Sequence, residues 1–362
     1  MINICYMLPS ISSANGISSF VFNYIDSYDK SKYRISIIAN EENASQHYIE
    51  YCKENDIELF LLPNFKSKGI KKYKSALKSF FKNKENMIDV FHCNVTNQGA
   101  LALKYAKKYN VKVRILHSHA TKGSDNKIKA LINDILAIRA RQLANTYFAC
   151  STEAGNYLFK NKKFNMIYNA VDISKYKYSS DHRVILRKKY SIDDNTKVIG
   201  FVGRFARQKN ILYIVDIALA MKEENVIFIL IGNGDLKDEL LSKITLNNLN
   251  NKFIILDEIS DVSKYYSMFD CFILPSLYEG LPVVAIEAQL NSLPVLLSYN
   301  ISKETIISST AKILSLTNVL EWKEEIIKAD RNKVVILENN FDIIKERKKY
   351  FILLEELLKD CK

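Results

Sequence analysis

Two series of short apolar segments, each followed by an amphipathic segment, constrain the fold of this chain more than any other feature. The first series consists of INICYML, RISIIAN, IELFLL, DVFHCN, VRILHSH and YFACS. Helical periodicity lies between these segments, at 17–28, 70–83, 98–109 and 128–144. The second series consists of VIGFVG, VIFILIG, FIILD, CFILPS and LPVLLS. Near-continuous apolar strands that alternate with helices are typical of parallel sheets covered on both faces, so we predict an α/β protein with two doubly wound domains.

The length of the chain supports a division into two domains. Its 362 residues, 48% of them hydrophobic, are too many for one compact core. The segment 173–196 is polar and weakly patterned, and we expect the domain connection there. The predicted domains are 1–175 and 176–340, and a C-terminal helix in 341–362 is expected to pack back on the first domain.

Composition narrows the class of protein. The six cysteines are scattered without a C-x-x-C pair, which is typical of reduced thiols in a cytosolic protein and favours neither a zinc site nor disulfides. The N-terminus does not resemble a signal peptide, and no apolar run reaches about 18 residues, so we expect a cytoplasmic protein without a membrane span. The net charge of +12 predicts a polyanionic partner: nucleic acid, anionic lipid or a phosphorylated substrate.

The segments that follow the predicted strands are the places to look for chemistry. In open α/β sheets, ligands bind outside the carboxyl ends of the strands. This rule selects Pro9–Gly16, His117–His119, Gly203–Asn210, Gly232–Asp235 and Ser276–Gly280.

Two of these segments contain motifs typical of phosphate sites. In GFVGRFARQKN, Arg204 and Lys209 lie between a strand and a helix, where a planar donor fork, a mobile cation and a helix N-terminus together suit a diphosphate. Solvated charges in a lysine-rich chain are the alternative. LIGNGDLKDEL contains G-x-G, but Lys237 replaces the third glycine of a dinucleotide fingerprint, so a tight strand-to-helix turn explains this segment equally well.

The segment PSLYEGLPVVAIEA places one glutamate at the start of a helix and another inside it. Pro282 suits the first turn of a helix that runs to about Leu290, with Glu279 before it and Glu287 on its second turn. An ionised carboxylate accepts hydrogen bonds from two adjacent hydroxyls, such as those of a ribose. The alternative is a helix-start carboxylate stabilised by the macrodipole, together with an ordinary surface glutamate.

Taken in order, these segments resemble the motifs of retaining GT-B glycosyltransferases of family GT4, the glycosyl transferases group 1. LPSLYEGLPVVAIEAQLNSLPVLLS resembles the E-x7-E segment of that family, and GRFARQKN resembles its G-R-x-x-x-x-K loop. MIYNAVDISKY resembles its N-G-V-D segment, and FACSTEAGNYL the serine-bearing strand before it. HSHA and SLYEGLPVV are most similar to members that build bacterial capsular or exopolysaccharides. The resemblance implies a GT-B fold, with two Rossmann-like domains and the active site in the cleft between them.

The resemblance also implies a role for each donor-site residue. Arg204 and Lys209 would neutralise the donor diphosphate. Glu287 would hold the ribose hydroxyls, and Glu279 would hold the transferred sugar. The donor contacts would also include Gly280 and Leu281, which follow Glu279.

Three further residues are implied in the first domain. Gly16 would let its loop approach the phosphate or the reaction centre. His117 would face the transferred sugar, with His119 as the alternative occupant. Departures from the family pattern are Ala14 or Asn15 in the N-terminal loop, Asn169-Ala170 in place of Asn-Gly, and Asp257 where glycine is common.

The implied activity is retaining transfer of a sugar from a nucleotide diphosphate donor, expected to be UDP-linked, to a glycan or lipid-linked glycan in bacterial surface polysaccharide synthesis. The family implies no metal and no cofactor, and no D-x-D follows a predicted strand. A nucleotide-sugar epimerase of the same architecture is one alternative. A basic, non-enzymatic polyanion-binding protein is the other, although no nucleic-acid-binding motif is present and nucleic acid is not the expected partner.

The segment 65–84 predicts a membrane contact. It contains eight lysines and no acidic residue, and its apolar residues share one helical face: Ile70, Tyr73, Leu77, Phe80 and Phe81. A basic amphipathic helix is typical of binding to anionic membrane, here through 66–84 on the inner face of the cytoplasmic membrane. The acceptor would then be a polyprenyl-diphosphate-linked sugar. Alternatively, the apolar face packs on the first sheet while the lysines are solvated; the two interpretations are compatible.

Overall fold

The computed structural model describes residues 1–12, 16–42, 44–119, 127–257, 259, 261–337 and 340–361, without the side chains of 66 and 127–131. It contains two compact units. Unit 1 consists of Met1–Ala170 and Ile343–Lys362, and unit 2 of Val171–Asp342.

Unit 1 is an α/β unit built on a parallel sheet. Its strands over the described residues are β1 (Ile2–Met7), β2 (Tyr33–Asn40), β3 (Glu58–Leu62), β4 (Val90–Cys93), β5 (Val113–Ser118), β6 (Thr146–Ala149) and β7 (Asn165–Met166). The helices between them are α1 (Gly16–Ile25), α2 (Gln46–Glu54), α3 (Phe65–Lys68), α4 (Ile70–Asn83), α5 (Gly99–Lys108), α6 (Lys127–Leu143) and α7 (Thr152–Phe159). The strand order is β3-β2-β1-β4-β5-β6-β7, with parallel pairing throughout.

Unit 2 repeats this architecture. Its strands over the described residues are β8 (Lys197–Val202), β9 (Val226–Ile231), β10 (Phe253–Leu256), β11 (Cys271–Leu274), β12 (Val295–Ser298) and β13 (Lys312–Leu314). Its helices are α8 (Ser180–Lys189), α9 (Ile211–Ala220), α10 (Lys237–Leu246), α11 (Ser263–Tyr266), α12 (Val283–Leu290) and α13 (Val319–Lys328). The parallel order is β10-β9-β8-β11-β12-β13.

The strands are apolar throughout because both faces of each sheet are buried. On β1, Ile4 and Tyr6 belong to one hydrophobic cluster, while Cys5 and Met7 belong to another. Successive side chains of a strand point to opposite faces, so the two clusters lie on the two sides of the sheet. The predicted α/β class with two parallel sheets is confirmed.

The C-terminal helix α14 (Ile343–Lys359) belongs to unit 1. Tyr350 and Leu354 are buried in the same cluster as Ile4 and Tyr6. The side chain of Arg347 donates a hydrogen bond to the carbonyl oxygen of Asn23, at 2.7 Å, which attaches α14 to α1.

The boundary between the units does not lie within 173–196, where the sequence analysis placed it. Unit 2 begins at Val171, and α8 is a structural part of it. The pattern of α8 is weak because a buried arginine takes the place of an apolar residue. Arg187 is 3% exposed and donates to the carbonyl oxygens of Asp193 and Thr196, and its guanidinium lies 3.3 Å from the carboxylate of Asp270.

Helix α4 packs with its apolar stripe inward. Tyr73, Leu77, Phe80 and Phe81 are buried in the cluster that contains Cys5 and Met7. Ile70 does not follow the prediction: it is 47% exposed, because it is the first residue of the helix. The lysines of the helix are exposed: Lys71, Lys72, Lys74, Lys78 and Lys82.

None of the helices in the described part of the chain combines the length and the apolar character that crossing a membrane requires.

Candidate functional site

In unit 2, the strand order reverses between β8 and β11. Such a switch point is where ligands bind in open α/β sheets. The segments that follow these two strands are also joined directly. The amide of Leu277 donates to the carbonyl oxygen of Gln208 at 2.8 Å, and the side-chain amide of Gln208 donates to the carbonyl oxygen of Tyr278 at 3.1 Å. The two predicted motif segments therefore form one site.

An ion pair lies at the centre of this site. The Nζ of Lys209 lies 2.6 Å from the Oε1 of Glu279, and the two side chains are 17% and 10% exposed. Lys209 closes a short 3-10 turn, Arg207–Lys209, before α9, while Glu279 pairs through its backbone with Ile301. Arg204 is exposed on the same segment. The pair places a cation beside the mouth of α12, where a diphosphate could approach it.

Glu287 is a buried carboxylate with two hydroxyl donors. Tyr176 donates to its Oε1 at 2.8 Å, and Tyr266 donates to its Oε2 at 2.7 Å. Burial raises the pKa of Glu287, and the two tyrosine hydrogen bonds oppose that shift. Glu287 is thus not the ordinary surface glutamate of the alternative interpretation. Sequence reasoning assigned no role to either tyrosine: Tyr176 ends the segment MIYNAVDISKY, and Tyr266 lies outside the quoted motifs.

The turn before α12 is buried. Gly280 is buried, and Leu281 is 4% exposed. Pro282 is the N-cap residue of α12, one position before the first turn in which the sequence analysis placed it.

The G-x-G segment is explained by close packing of two loops. A Cβ on Gly232 would lie 2.0 Å from the carbonyl oxygen of Gly203, and one on Gly234 would lie 2.4 Å from that of Phe205. Both glycines have positive φ, +150° and +157°. They allow the loop after β9 to approach the loop after β8. Asp257, which replaces a glycine common in the family, is paired with Lys237.

In unit 1, the two predicted histidines are neighbours. His117 lies on β5 and is 1% exposed, and His119 follows that strand. Their ring centroids are 3.9 Å apart, and both residues line a cavity of about 580 Å³. His119 Nε2 lies 2.9 Å from the Oδ1 of Asn94, and burial lowers the pKa of His119 to about 3.

His92 is a further buried histidine, which sequence reasoning recorded only as part of a strand. Its Nε2 lies 3.0 Å from the Nδ1 of His117. Burial lowers the pKa of both His92 and His117 well below the ordinary value, and the neighbouring histidines add to the shift. A histidine inside an apolar strand was the available signal.

The structure describes some of the remaining positions that the sequence analysis named. Gly16 is the first residue of α1, and a Cβ there would meet nothing within 4 Å. Ala14 and Asn15 lie outside the described residues. Asn169 is buried, and the carbonyl oxygen of Ala170 accepts from the side chain of Asn23 at 3.1 Å.

Among the described residues, no group of three or more His, Cys, Asp or Glu side chains is arranged to hold a metal ion. Metal independence stays a prediction.

Part of the chain is similar to a known family. Residues 183–315 match the family model of glycosyl transferases group 1, and this segment includes Arg204, Lys209, Glu279 and Glu287. The chain is 25% identical over 306 residues to the UDP-Gal:alpha-D-GlcNAc-diphosphoundecaprenol alpha-1,3-galactosyltransferase of Escherichia coli, covering 81% of this chain and 77% of that protein. It is 27% identical to the capsular polysaccharide biosynthesis glycosyltransferase CapH of Staphylococcus aureus, covering 65% and 66%.

A solved structure shares the fold. Anabaena HepE, crystallised with UDP and glucose, superimposes with a TM-score of 0.81 at 16% identity and covers 98% of this chain and 100% of its own. With its two Rossmann-like parallel-sheet domains, the chain has the GT-B fold. Over residues 183–315 the chain is similar to the glycosyl transferases group 1, and with its relatives this segment shows that the chain is a hexosyltransferase.

Proposed function

We propose that this glycosyltransferase moves a hexosyl group, with retained anomeric configuration, from a UDP-linked donor to a glycan or lipid-linked glycan in bacterial surface polysaccharide synthesis. The Lys209–Glu279 ion pair at the switch point of unit 2 is the observation that carries this proposal. The names of the relatives support the pathway class: one is a capsular polysaccharide glycosyltransferase and another acts on a diphosphoundecaprenol-linked sugar.

The donor diphosphate would take Lys209 and Arg204 as its cations. Negative charge grows on the diphosphate as the glycosidic bond breaks. Cations that are already in place stabilise this charge without reorganising, and so lower the barrier. Glu279 keeps Lys209 in position, so the ammonium is available on the side of the helix mouth. Glu287 would hold the ribose hydroxyls, with Gly280 and Leu281 as further donor contacts.

Retention would follow from front-face attack assisted by the departing phosphate. The acceptor hydroxyl forms the new bond to the anomeric carbon on the face that the diphosphate leaves, and its proton passes to a phosphate oxygen. Glu279 is engaged by Lys209, which argues against its use as a nucleophile. The configuration of the product, read by NMR, tests this part, and activity that persists in EDTA would support metal independence.

The acceptor side involves unit 1 in this proposal. His117 and His119 would contact the transferred sugar, and Gly16 would let its loop approach the phosphate.

The exposed lysines of α4, with Phe65 41% exposed and Ile70 47% exposed beside them, would bind an anionic membrane surface. A membrane location favours a polyprenyl-diphosphate-linked acceptor.

Thermal unfolding with UDP, GDP, ADP or NAD tests the donor site. A ligand at 100 times its Kd stabilises the folded state by about 2.7 kcal/mol. Of these four nucleotides, we expect only UDP to raise Tm. The variant Glu287→Ala should abolish this increase in Tm. Glu346→Ala is the matched control, because Glu346 is equally buried but lies in unit 1. A Tm that no nucleotide changes would contradict the donor site, and epimerised donor formed without acceptor would favour the epimerase.

A further inference from the structure

Four side chains of unit 1 form a continuous buried hydrogen-bonded chain that ends at His117. The hydroxyl of Tyr6, on β1, lies 3.0 Å from the hydroxyl of Tyr350, on α14. The hydroxyl of Tyr350 lies 2.7 Å from the Nδ1 of His92. The Nε2 of His92 lies 3.0 Å from the Nδ1 of His117. Within the described residues, the Nε2 of His117 has no hydrogen-bond partner, although it is fully buried.

Only two proton arrangements satisfy the three contacts between neutral groups. In the first, Tyr6 donates to Tyr350, Tyr350 donates to Nδ1 of His92, and Nε2 of His92 donates to Nδ1 of His117. His117 then carries its proton on Nε2. In the second arrangement every bond is reversed, and His117 carries its proton on Nδ1.

The hydroxyl of Tyr6 decides between the two arrangements. Among the residues that the structure describes, Tyr350 is its sole hydrogen-bond partner, and Tyr6 is 0% exposed. In the reversed arrangement Tyr6 would only accept, and its own hydroxyl proton would be buried without an acceptor. The first arrangement also leaves one proton without a partner among the described residues, that on Nε2 of His117, but His117 lines the cavity, where a substrate or solvent oxygen can accept it. The reversed arrangement leaves two buried groups unpaired, the hydroxyl proton of Tyr6 and the bare Nε2 of His117. Unsatisfied buried polar groups are costly, so the first arrangement is favoured.

We propose that the hydrogen bonds from Tyr6 through Tyr350 and His92 hold His117 as the Nε2–H tautomer. The ring of His117 then presents an N–H donor to an oxygen atom of the substrate in the adjoining cavity. His92 and Tyr350 are positioning residues, which act through His117. The identity of the substrate rests on the proposed function, but the tautomer does not. His117 on this view cannot accept a proton at Nε2, and it serves as a hydrogen-bond donor rather than a general base.

The neighbouring histidine is held in a compatible way. The side-chain amide of Asn94 donates to the carbonyl oxygen of His92 at 3.3 Å, which leaves its Oδ1 to accept from Nε2 of His119. His119 therefore keeps its proton on Nε2 as well. Burial lowers the pKa of all three imidazoles, which keeps them neutral at physiological pH.

Long-range ¹H–¹⁵N NMR of protein labelled at its five histidines tests the proposal, because protonated and bare ring nitrogens have distinct shifts. In the unliganded protein we expect Nε2–H tautomers at His92 and His117. The double variant Tyr6→Phe/Tyr350→Phe removes both hydroxyls and keeps both rings, so Nδ1–H forms should appear at His117. The matched control is the double variant Tyr24→Phe/Tyr28→Phe. The hydroxyls that it removes donate to the carbonyl oxygens of Tyr168 and Asn55, and not to the hydrogen-bonded side chains that end at His117.

An Nδ1–H tautomer at His117 in the wild-type protein would overturn the proposal, and so would a double variant whose tautomers match those of the control. In a transfer assay we expect the double variant to lower kcat about tenfold, the size of one lost hydrogen bond in the transition state, while the control does not. A tautomer change without a change in kcat would overturn the role of His117 toward the substrate. The tautomers are measured without substrate. A failure to observe glycosyl transfer would therefore count against the proposed function and not against the tautomer of His117.

Discussion

The Nζ of Lys209 and the Oε1 of Glu279 are 2.6 Å apart, and this ion pair joins the segment after β8 to the segment after β11. Both strands flank the point where the sheet order of unit 2 reverses. The amide of Leu277 donates to the carbonyl oxygen of Gln208, and the side-chain amide of Gln208 donates to the carbonyl oxygen of Tyr278, so the same two segments are held together. The pair is thus supported by hydrogen bonds between the two segments on either side of it.

Lys209→Ala should weaken both the fold and nucleotide binding. It leaves the largely buried carboxylate of Glu279 without its cation, at a cost of about 1–3 kcal/mol in the free energy of unfolding. It should also weaken UDP binding about tenfold or more, measured by calorimetry. Lys243→Ala is the control. Lys243 lies 2.7 Å from Asp216 and also donates to the carbonyl oxygen of Leu212, and the two side chains of the ion pair are 31% and 45% exposed, so its loss should cost about 1 kcal/mol and leave UDP binding unchanged. Equal effects of the two variants would contradict the assigned role.

Glu287→Gln should change stability in a pH-dependent way. The pKa of Glu287 is raised in the folded state above its ordinary value of 4.5, so its carboxyl favours folding below that pH, and the gain is lost as the pH rises through the folded pKa. The Tm of Glu287→Gln relative to wild type should therefore increase between pH 4 and pH 7. UDP binding should weaken at the same time.

Glu41→Gln provides a control of opposite sign for that series. The hydrogen bond from Lys68 lowers the pKa of Glu41, so its stabilisation is present above pH 4.5 and is lost as the pH falls. The Tm of Glu41→Gln relative to wild type should fall between pH 4 and pH 7. The same pH trend in both variants would show that burial does not raise the pKa of Glu287.

Gly232→Ala should destabilise unit 2. The added Cβ would lie 2.0 Å from the carbonyl oxygen of Gly203, at a φ of +150°, so the loop must move or strain, at about 2 kcal/mol or more. Gly16→Ala, whose Cβ would meet nothing within 4 Å, should stay within about 1 kcal/mol of wild type. Denaturant unfolding measures both variants. If Gly16→Ala keeps its stability but loses transfer activity, the predicted role of Gly16 gains support.

Charge reversal on α4 should abolish binding to anionic vesicles. Each lysine near an anionic surface contributes about 1 kcal/mol, so replacing Lys71, Lys72, Lys74 and Lys78 by Glu should reduce binding by about three orders of magnitude in a sedimentation assay. The apolar stripe stays packed in the core, so the fold should survive. The control reverses four other exposed lysines of unit 1: Lys53, Lys345, Lys348 and Lys359. Unchanged sedimentation of the α4 variant would contradict the membrane contact.

Part of this molecule follows from local patterns in the chain. Apolar runs such as VIFILIG predict buried strands because side chains alternate between two covered faces, and α4 was predicted at 70–83, where it is found. Arg204, Lys209 and Glu279 lie in short segments after such strands, which the rule that ligands bind beyond strand ends selected. Glu287 was selected as a carboxylate inside the helix that follows. These features depend only on residues that are near one another in the sequence.

The sequence by itself therefore determined two parallel-sheet domains and the segments that carry the candidate donor site. Only the tertiary structure decided which side chains touch those residues. Tyr266 meets Glu287 across 21 residues, and Tyr350 meets His92 across 258, and neither contact has a periodic or motif signal. The same holds for Gly232, which is required by the carbonyl oxygen of Gly203 rather than by a nucleotide. Local patterns record whether a residue is buried, while its partner is set by how distant elements pack.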